Sequence, residues 1–135
     1  MRIVFDTNVI LSAFLTEGLS NKIFEHCIVN DNVYVSDFII SELDRILTRK
    51  FKVKIKDRNL FLKYIDTYLF KIKPQNKVHD VCRDENDNNI LQIAEFTGAD
   101  YLITGDKDLL SLKKYGSTEI ISPREYYTMI INEKS

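Results

Sequence analysis

The feature that most constrains this chain is a change of character within its first ten residues. Ile3, Val4 and Phe5 form an apolar run of the kind found in a parallel strand buried on both faces. Asp6, Thr7 and Asn8 follow at once, and Val9, Ile10 and Leu11 then resume the apolar pattern. An acid at the end of a buried strand is costly unless something offsets its charge. Open parallel sheets bind ligands beyond the carboxyl ends of their strands. Two readings therefore stand side by side: Asp6 or Asn8 simply caps a helix over residues 9–14, or Asp6 is a site residue placed by a strand.

The rest of the chain repeats this punctuation. Ser20 predicts the cap of a second helix with Ile23, Phe24, Cys27 and Ile28 on one face. Val33–Val35 reads as a short strand, and Ser36 or Asp37 caps a helix carrying Phe38, Ile39, Leu43, Ile46 and Leu47. Asp57 opens a helix whose Leu60, Phe61, Tyr64, Ile65, Tyr68 and Leu69 read most simply as core, and Lys77–Val81 reads as a short extended piece. Asp87 is the natural cap of a helix stopped by Gly98. Tyr101–Ile103 and Glu119–Ile121 are strands, Asp108 fits the cap of a short helix at Leu109 and Leu110, and Pro123 starts a terminal helix with Tyr126, Tyr127 and Ile130 inward. This alternation predicts a single domain over residues 1–135, a three-layer α/β/α sandwich with a mostly parallel central sheet.

Several acids recur at equivalent points. Asp106 repeats the placement of Asp6, just beyond a buried strand. Glu42 lies four residues from both Phe38 and Ile46, so it shares their inward stripe; it either reaches solvent from the stripe's edge or points into a polar pocket. Asp84, Glu85 and Asp87 crowd one loop and repel one another unless a cation or a basic partner is near. Asp6, Glu42, Asp87 and Asp106 thus converge at one edge of a parallel sheet. Carboxylates without Cys or His make a hard-oxygen site, suited to Mg²⁺ or Mn²⁺ and unsuited to zinc.

The net charge of −1 over 135 residues does not advertise nucleic-acid binding, so any basic surface has to be local. One such stretch exists. Arg45, Arg49, Lys50, Lys52, Lys54, Lys56, Arg58 and Lys63 face only Asp57, with Phe51, Val53 and Ile55 alternating among the lysines in a segment read as extended or as a loop. It is either a solvated face or a grip on a phosphate backbone. Cys27 and Cys82 read as reduced thiols of a cytoplasmic protein, and no apolar run approaches membrane-spanning length. His79 stands without ligand spacing.

Taken together, Phe5-Asp6-Thr7-Asn8-Val9-Ile10, Glu42 after a strand and Ser, Arg83-Asp84-Glu85-Asn86-Asp87-Asn88-Asn89-Ile90-Leu91, and the run from Ala99 through Thr104-Gly105-Asp106-Lys107-Asp108 to Leu110 resemble the PIN domain. The resemblance spans essentially the whole chain and is nearest to the small prokaryotic toxin–antitoxin type, similar to VapC toxins. It implies an endoribonuclease dependent on Mg²⁺ or Mn²⁺, with RNA as substrate, an antitoxin partner whose tail fills the acidic pocket, and a possible homodimer. Carried over by position, Asp6, Glu42, Asp87 and Asp106 are the catalytic acids and metal ligands. Asn8 orients Asp6 or a water, Thr104 hydrogen-bonds within the site, and Asp84 and Asp108 have ambiguous supporting parts. Arg45, Arg49, Lys50, Lys52 and Lys54 are the expected RNA contacts. Tyr126, Tyr127 and the aromatic helix at 60–69 are candidates for a dimer surface, or are simply core.

Two rivals keep the fold. One is a catalytically silent module that holds RNA or a partner. The other is phosphoryl transfer through an aspartyl nucleophile, which the Asn8 in place of a second acid after strand one disfavours.

Overall fold

The structure, a computed structural model, describes residues 1–134. Elements follow in the order β1 (Arg2–Phe5), α1 (Thr7–Leu15), α2 (Leu19–Asn30), β2 (Asn32–Ser36), α3 (Asp37–Arg49), α4 (Ile55–Tyr68) and β3 (Phe70–Ile72). They continue with α5 (Glu85–Thr97), β4 (Tyr101–Ile103), α6 (Lys107–Leu110), β5 (Lys114–Tyr115), β6 (Thr118–Ile121) and α7 (Pro123–Lys134). Among the described residues the strands form one sheet in the order β3-β2-β1-β4-β6-β5. All neighbours pair in parallel except β5 and β6. The chain is an α/β/α sandwich around a mostly parallel sheet, as the alternation of the sequence predicts.

The apolar triplets account for the centre. Ile3, Val4 and Phe5 are fully buried, with Val4 opposite Leu102 and Phe5 opposite Ile103 across the β1–β4 ladder. Phe5 also meets Phe24 of α2 with ring centroids 5.1 Å apart. From β1 the sheet grows outward to β2 on one side and to β4 on the other. The carboxyl ends of β1 and β4 thus flank the point where the strand order reverses, which is where open α/β sheets bind ligands. Asp6 and Asp106 stand there.

Several expectations need correction. Of the two readings of the basic segment, the loop holds over residues 50–54, a tight connection with Lys52 at a positive φ of 51°. Its flanks are helical, α3 running to Arg49 and α4 beginning at Ile55. Helix α4 therefore starts at Ile55 and not at Asp57. Helix α2 is preceded by Gly18, whose extended backbone serves as the N-cap, so Ser20 falls inside the first turn. Residues 77–81 form no strand, whereas two short edge strands, β3 and β5, escape the sequence patterns. The stripe of α4 is only partly core. Phe61 and Ile65 are buried, but Leu60, Tyr64 and Tyr68 are exposed. Conversely, Tyr126 and Ile130 of α7 are buried and Tyr127 is partly so, which removes Tyr126 from any dimer surface. The Tyr126 hydroxyl donates to Asp31, which also holds the N-terminal amine at 3.0 Å. Burial pushes the nearby Cys27 thiol up to about 12, which keeps it inert. Among the described residues, no helix is long and apolar enough to cross a membrane.

Candidate active site

Asp6 continues the β1–β4 ladder, its amide donating to the Ile103 carbonyl at 3.0 Å. It occupies the N-cap position of α1, yet its side chain makes no cap hydrogen bond. The carboxylate instead accepts from the hydroxyl of fully buried Thr104, Oγ1 to Oδ2 2.7 Å. Asp6 thus starts the helix through its backbone, while its side chain turns away from the helix to Thr104. Burial pushes the Asp6 carboxyl up, the Thr104 hydrogen bond pulls it down, and the charge of Asp106 pushes it up again. The amides of Asn8 and Thr7 oppose this, and the balance lies above the ordinary carboxylate value.

Thr104 couples the two strand ends, because its Oγ1 also accepts from the Asp106 amide at 3.0 Å. Asp106, not Asp108, caps α6: its Oδ1 accepts from the amides of Asp108 at 2.8 Å and Leu109 at 3.2 Å. Asp108 lies in the first turn of α6 and pairs at the surface with Arg83, 3.1 Å away. A parallel correction applies to α5. Its cap is Asp84, whose Oδ1 accepts from the Asn86 amide at 2.9 Å. Asp87 lies in the first turn behind that cap and is buried, its Oδ2 enclosed and without a hydrogen-bond partner. Burial, followed by the charges of Asp106, Asp6, Asp84 and Asp108, pushes the Asp87 carboxyl up to about 6.

Glu42 sits within α3 with its side chain only 18% exposed, and its Oε2 accepts from Arg45 Nη2 at 2.7 Å. Of its two readings, the inward one fits. Asp6, Glu42, Asp87 and Asp106 line one cleft of about 140 Å³, together with Asn8, Arg45, Ile46 and Asp84. Asp6 and Asp106 also line a second hollow with Ser12, Ser20 and Gly105. Asn8 is exposed and lines both this cleft and the hollow beside it. Asp108 is not brought into the cleft. Of the predicted RNA contacts, Arg45 lies in the cleft wall, while Arg49, Lys50, Lys52 and Lys54 are exposed beyond it.

Sequence reasoning missed Asn88. Its buried side chain accepts from the amides of Val81 and Cys82 and donates to the Cys82 carbonyl, at 3.1, 2.7 and 3.1 Å. The acidic loop is thereby pinned to the helix that follows it. The signal available was weak, an Asn buried directly beside the acid it helps to place.

Among the described residues, no three acidic, His or Cys side chains are gathered closely enough to hold an ion as they stand. The donor set nonetheless fits a hard cation. It offers carboxylate oxygens, one of them an orphaned buried oxygen on Asp87, and the acids raise one another's affinity for protons, as they would for a cation. Burial and the charges of Asp87, Asp106, Asp108 and Asp84 push the Cys82 thiol up.

A family model described as PIN domain matches residues 2–108. The chain belongs to the PIN domain family. The matched segment runs from β1 into α6 and holds all five acids of the cleft. This PIN domain is 36% identical over 121 residues to an uncharacterized protein of Methanocaldococcus jannaschii, a match covering 84% of this chain and 76% of that protein. Its fold is similar to that in the crystal structure of VapBC2 from Rickettsia felis bound to a DNA fragment from their promoter. The TM-score is 0.67 at 16% identity, covering 90% of this chain and 98% of the other.

Proposed function

We propose that this PIN domain is an endoribonuclease dependent on Mg²⁺ or Mn²⁺ that serves as the toxin of a toxin–antitoxin pair. The observation that carries this reading is the convergence of Asp6, Glu42, Asp87 and Asp106 in one cleft, with a buried Asp87 oxygen left unpartnered. Those four acids would hold the ion. Bound there, it offsets their mutual repulsion and supplies Lewis-acid stabilisation of phosphoryl charge.

The chain's own groups divide the remaining work. Thr104 fixes the rotamer of Asp6, and the α6 amides fix that of Asp106, so these two acids are held in place before RNA arrives. Without a cation Asp87 keeps its proton to about 6, and an ion held by the four acids would favour its charged, ligating form. Arg45 stands in the cleft wall, where a phosphate oxygen can replace Glu42 as its partner. The exposed cations beyond it contact the RNA backbone without choosing sequence. The similarity to VapBC2 of Rickettsia felis supports the toxin role and an antitoxin partner.

Cleavage of a labelled mixed RNA pool tests this, comparing Mn²⁺, Mg²⁺ and EDTA with Asp6→Asn and Asp106→Asn as controls. The expected outcome is metal-dependent cutting that both substitutions abolish. A folded, partner-free preparation that binds RNA but cuts it under neither ion would instead make the chain a silent RNA-holding module.

A further inference from the structure

A further hollow, on another side of Asn8, adjoins the acidic cleft. It measures about 330 Å³ and runs from Asn8 past Leu11, Leu15 and Ile46 to Lys50 and Phe51. Asn8 and Ile46 also line the acidic cleft, so the two spaces share a wall. The volume lies at the lower end of the roughly 300–1,000 Å³ typical of small-molecule pockets.

Phe51 closes the far end and remains 45% exposed. Its backbone is firmly held. The amides of Lys50 and Phe51 both donate to the Ile46 carbonyl, at 2.9 and 3.3 Å, and that of Val53 donates to Leu47 at 2.9 Å. The Val53 carbonyl in turn accepts from Arg58 Nη1 at 2.6 Å. A turn anchored at this many points presents its aromatic ring at little ordering cost. The surrounding charge has one sign. Arg49, Lys50, Lys52 and Lys54 are exposed and hold no ion pair among the described residues. The Lys50 ammonium sits 5.4 Å from the Phe51 ring centroid. An exposed aromatic ring among unpaired cations suits a polyanion whose bases offer flat faces, which is how unpaired RNA strands are held.

We propose that Phe51, flanked by Lys50, is a stacking platform for an unpaired RNA base neighbouring the nucleotide held over the acidic cleft. The proposal rests on the ribonuclease reading and adds which side chain holds a base beside the cleft. A continuous duplex does not serve, because its bases stay stacked inside. Stacking tolerates any base, so the platform contributes position and affinity without strong sequence choice.

The chain contains no tryptophan, so Phe51→Trp places a unique fluorophore on the platform. In an Asp6→Asn background with Mg²⁺, so that RNA is not consumed, the probes are a short single-stranded oligouridylate and an abasic strand of equal length. Binding is followed separately by anisotropy of a label on the strand. The expected result is a tryptophan emission change with oligouridylate and little with the abasic strand. Phe51→Ala, read by anisotropy alone, should weaken oligouridylate binding by about 5- to 100-fold without altering the unfolding temperature. An oligonucleotide that binds while the tryptophan stays unchanged, with Phe51→Ala binding as tightly as Phe51, leaves the face to another occupant such as a protein and overturns the platform. Absence of any binding by the Asp6→Asn protein overturns the RNA reading itself, and the platform with it.

Discussion

With its buried Oδ2 unpartnered and other acids facing it, Asp87 keeps its proton to about pH 6 where an ordinary aspartate loses it near 3.8. The sign of the consequence follows from linkage. A folded-state pKa above the unfolded one means that this group's contribution to stability is complete below about pH 4 and is lost as pH rises through about 6. Asp87→Asn should therefore stabilise the metal-free protein at neutral pH by roughly 1–2 kcal/mol once solvent screening is allowed for, with the gain gone at about pH 4. Urea unfolding in EDTA at the two pH values checks this. Adding Mn²⁺ at neutral pH should then raise the stability of the parent protein more than that of the variant, because only the parent keeps the full ligand set. The same residue shows where sequence reasoning reaches its limit. The positions of Asp6 and Asp106 were legible because each follows a three-residue apolar run. Which aspartate of Asp84 and Asp87, or of Asp106 and Asp108, caps its helix was not. Both members of each pair have cap chemistry, and the choice falls to the incoming loop.

Helix α5 and the loop before it act as one element because Asn88 ties them together. Three hydrogen bonds from one buried side chain hold Val81 and Cys82, and so fix where the chain enters the Asp84 cap and the turn that carries Asp87. Asn88→Ala leaves the Val81 and Cys82 amides without this acceptor. The expected cost is about 2–3 kcal/mol. A stability loss alone is what any core defect gives, so the informative readout is hydrogen exchange. Amides at 81–87 should open well before those of β1 and β4, and cleavage activity should fall more steeply than the folded fraction. Uniform loss of protection across the sheet would make Asn88 an ordinary core residue. Other elements were less legible for a related reason. The apolar stripe read over Leu60–Leu69 has helical spacing, but spacing does not say which part of a stripe a neighbour covers, and of its six residues only Phe61, Ile65 and Leu69 are buried. Strands β3 and β5 are three and two residues long, too short for an alternating pattern to emerge.

Across the whole molecule, a net charge of −1 conceals a separation of charge. Five acids line the cleft, while the segment from Arg45 to Lys63 carries eight cations against the single acid Asp57. Arg45 pairs with Glu42 and Arg58 with Asp44. The other six hold no ion pair among the described residues, and four of them cluster over residues 49–54. A cation already paired releases little on meeting a phosphate, whereas an unpaired one displaces counterions and makes binding salt-dependent. In the Asp6→Asn background with Mg²⁺, the double substitution Lys52→Ala with Lys54→Ala should weaken all single-stranded sequences alike. It should also reduce the slope of log affinity against log salt by about 1.4, at roughly 0.7 per phosphate contact. Phe51→Ala should behave in the opposite way, lowering affinity while leaving the slope in place, because stacking releases no ions. Titrations of labelled RNA at a series of salt concentrations separate the two effects in one experiment. A slope unchanged by loss of both lysines would show that this turn does not touch the RNA backbone, and the path of the strand would then have to be sought along the hollow lined by Ser12 and Ser20.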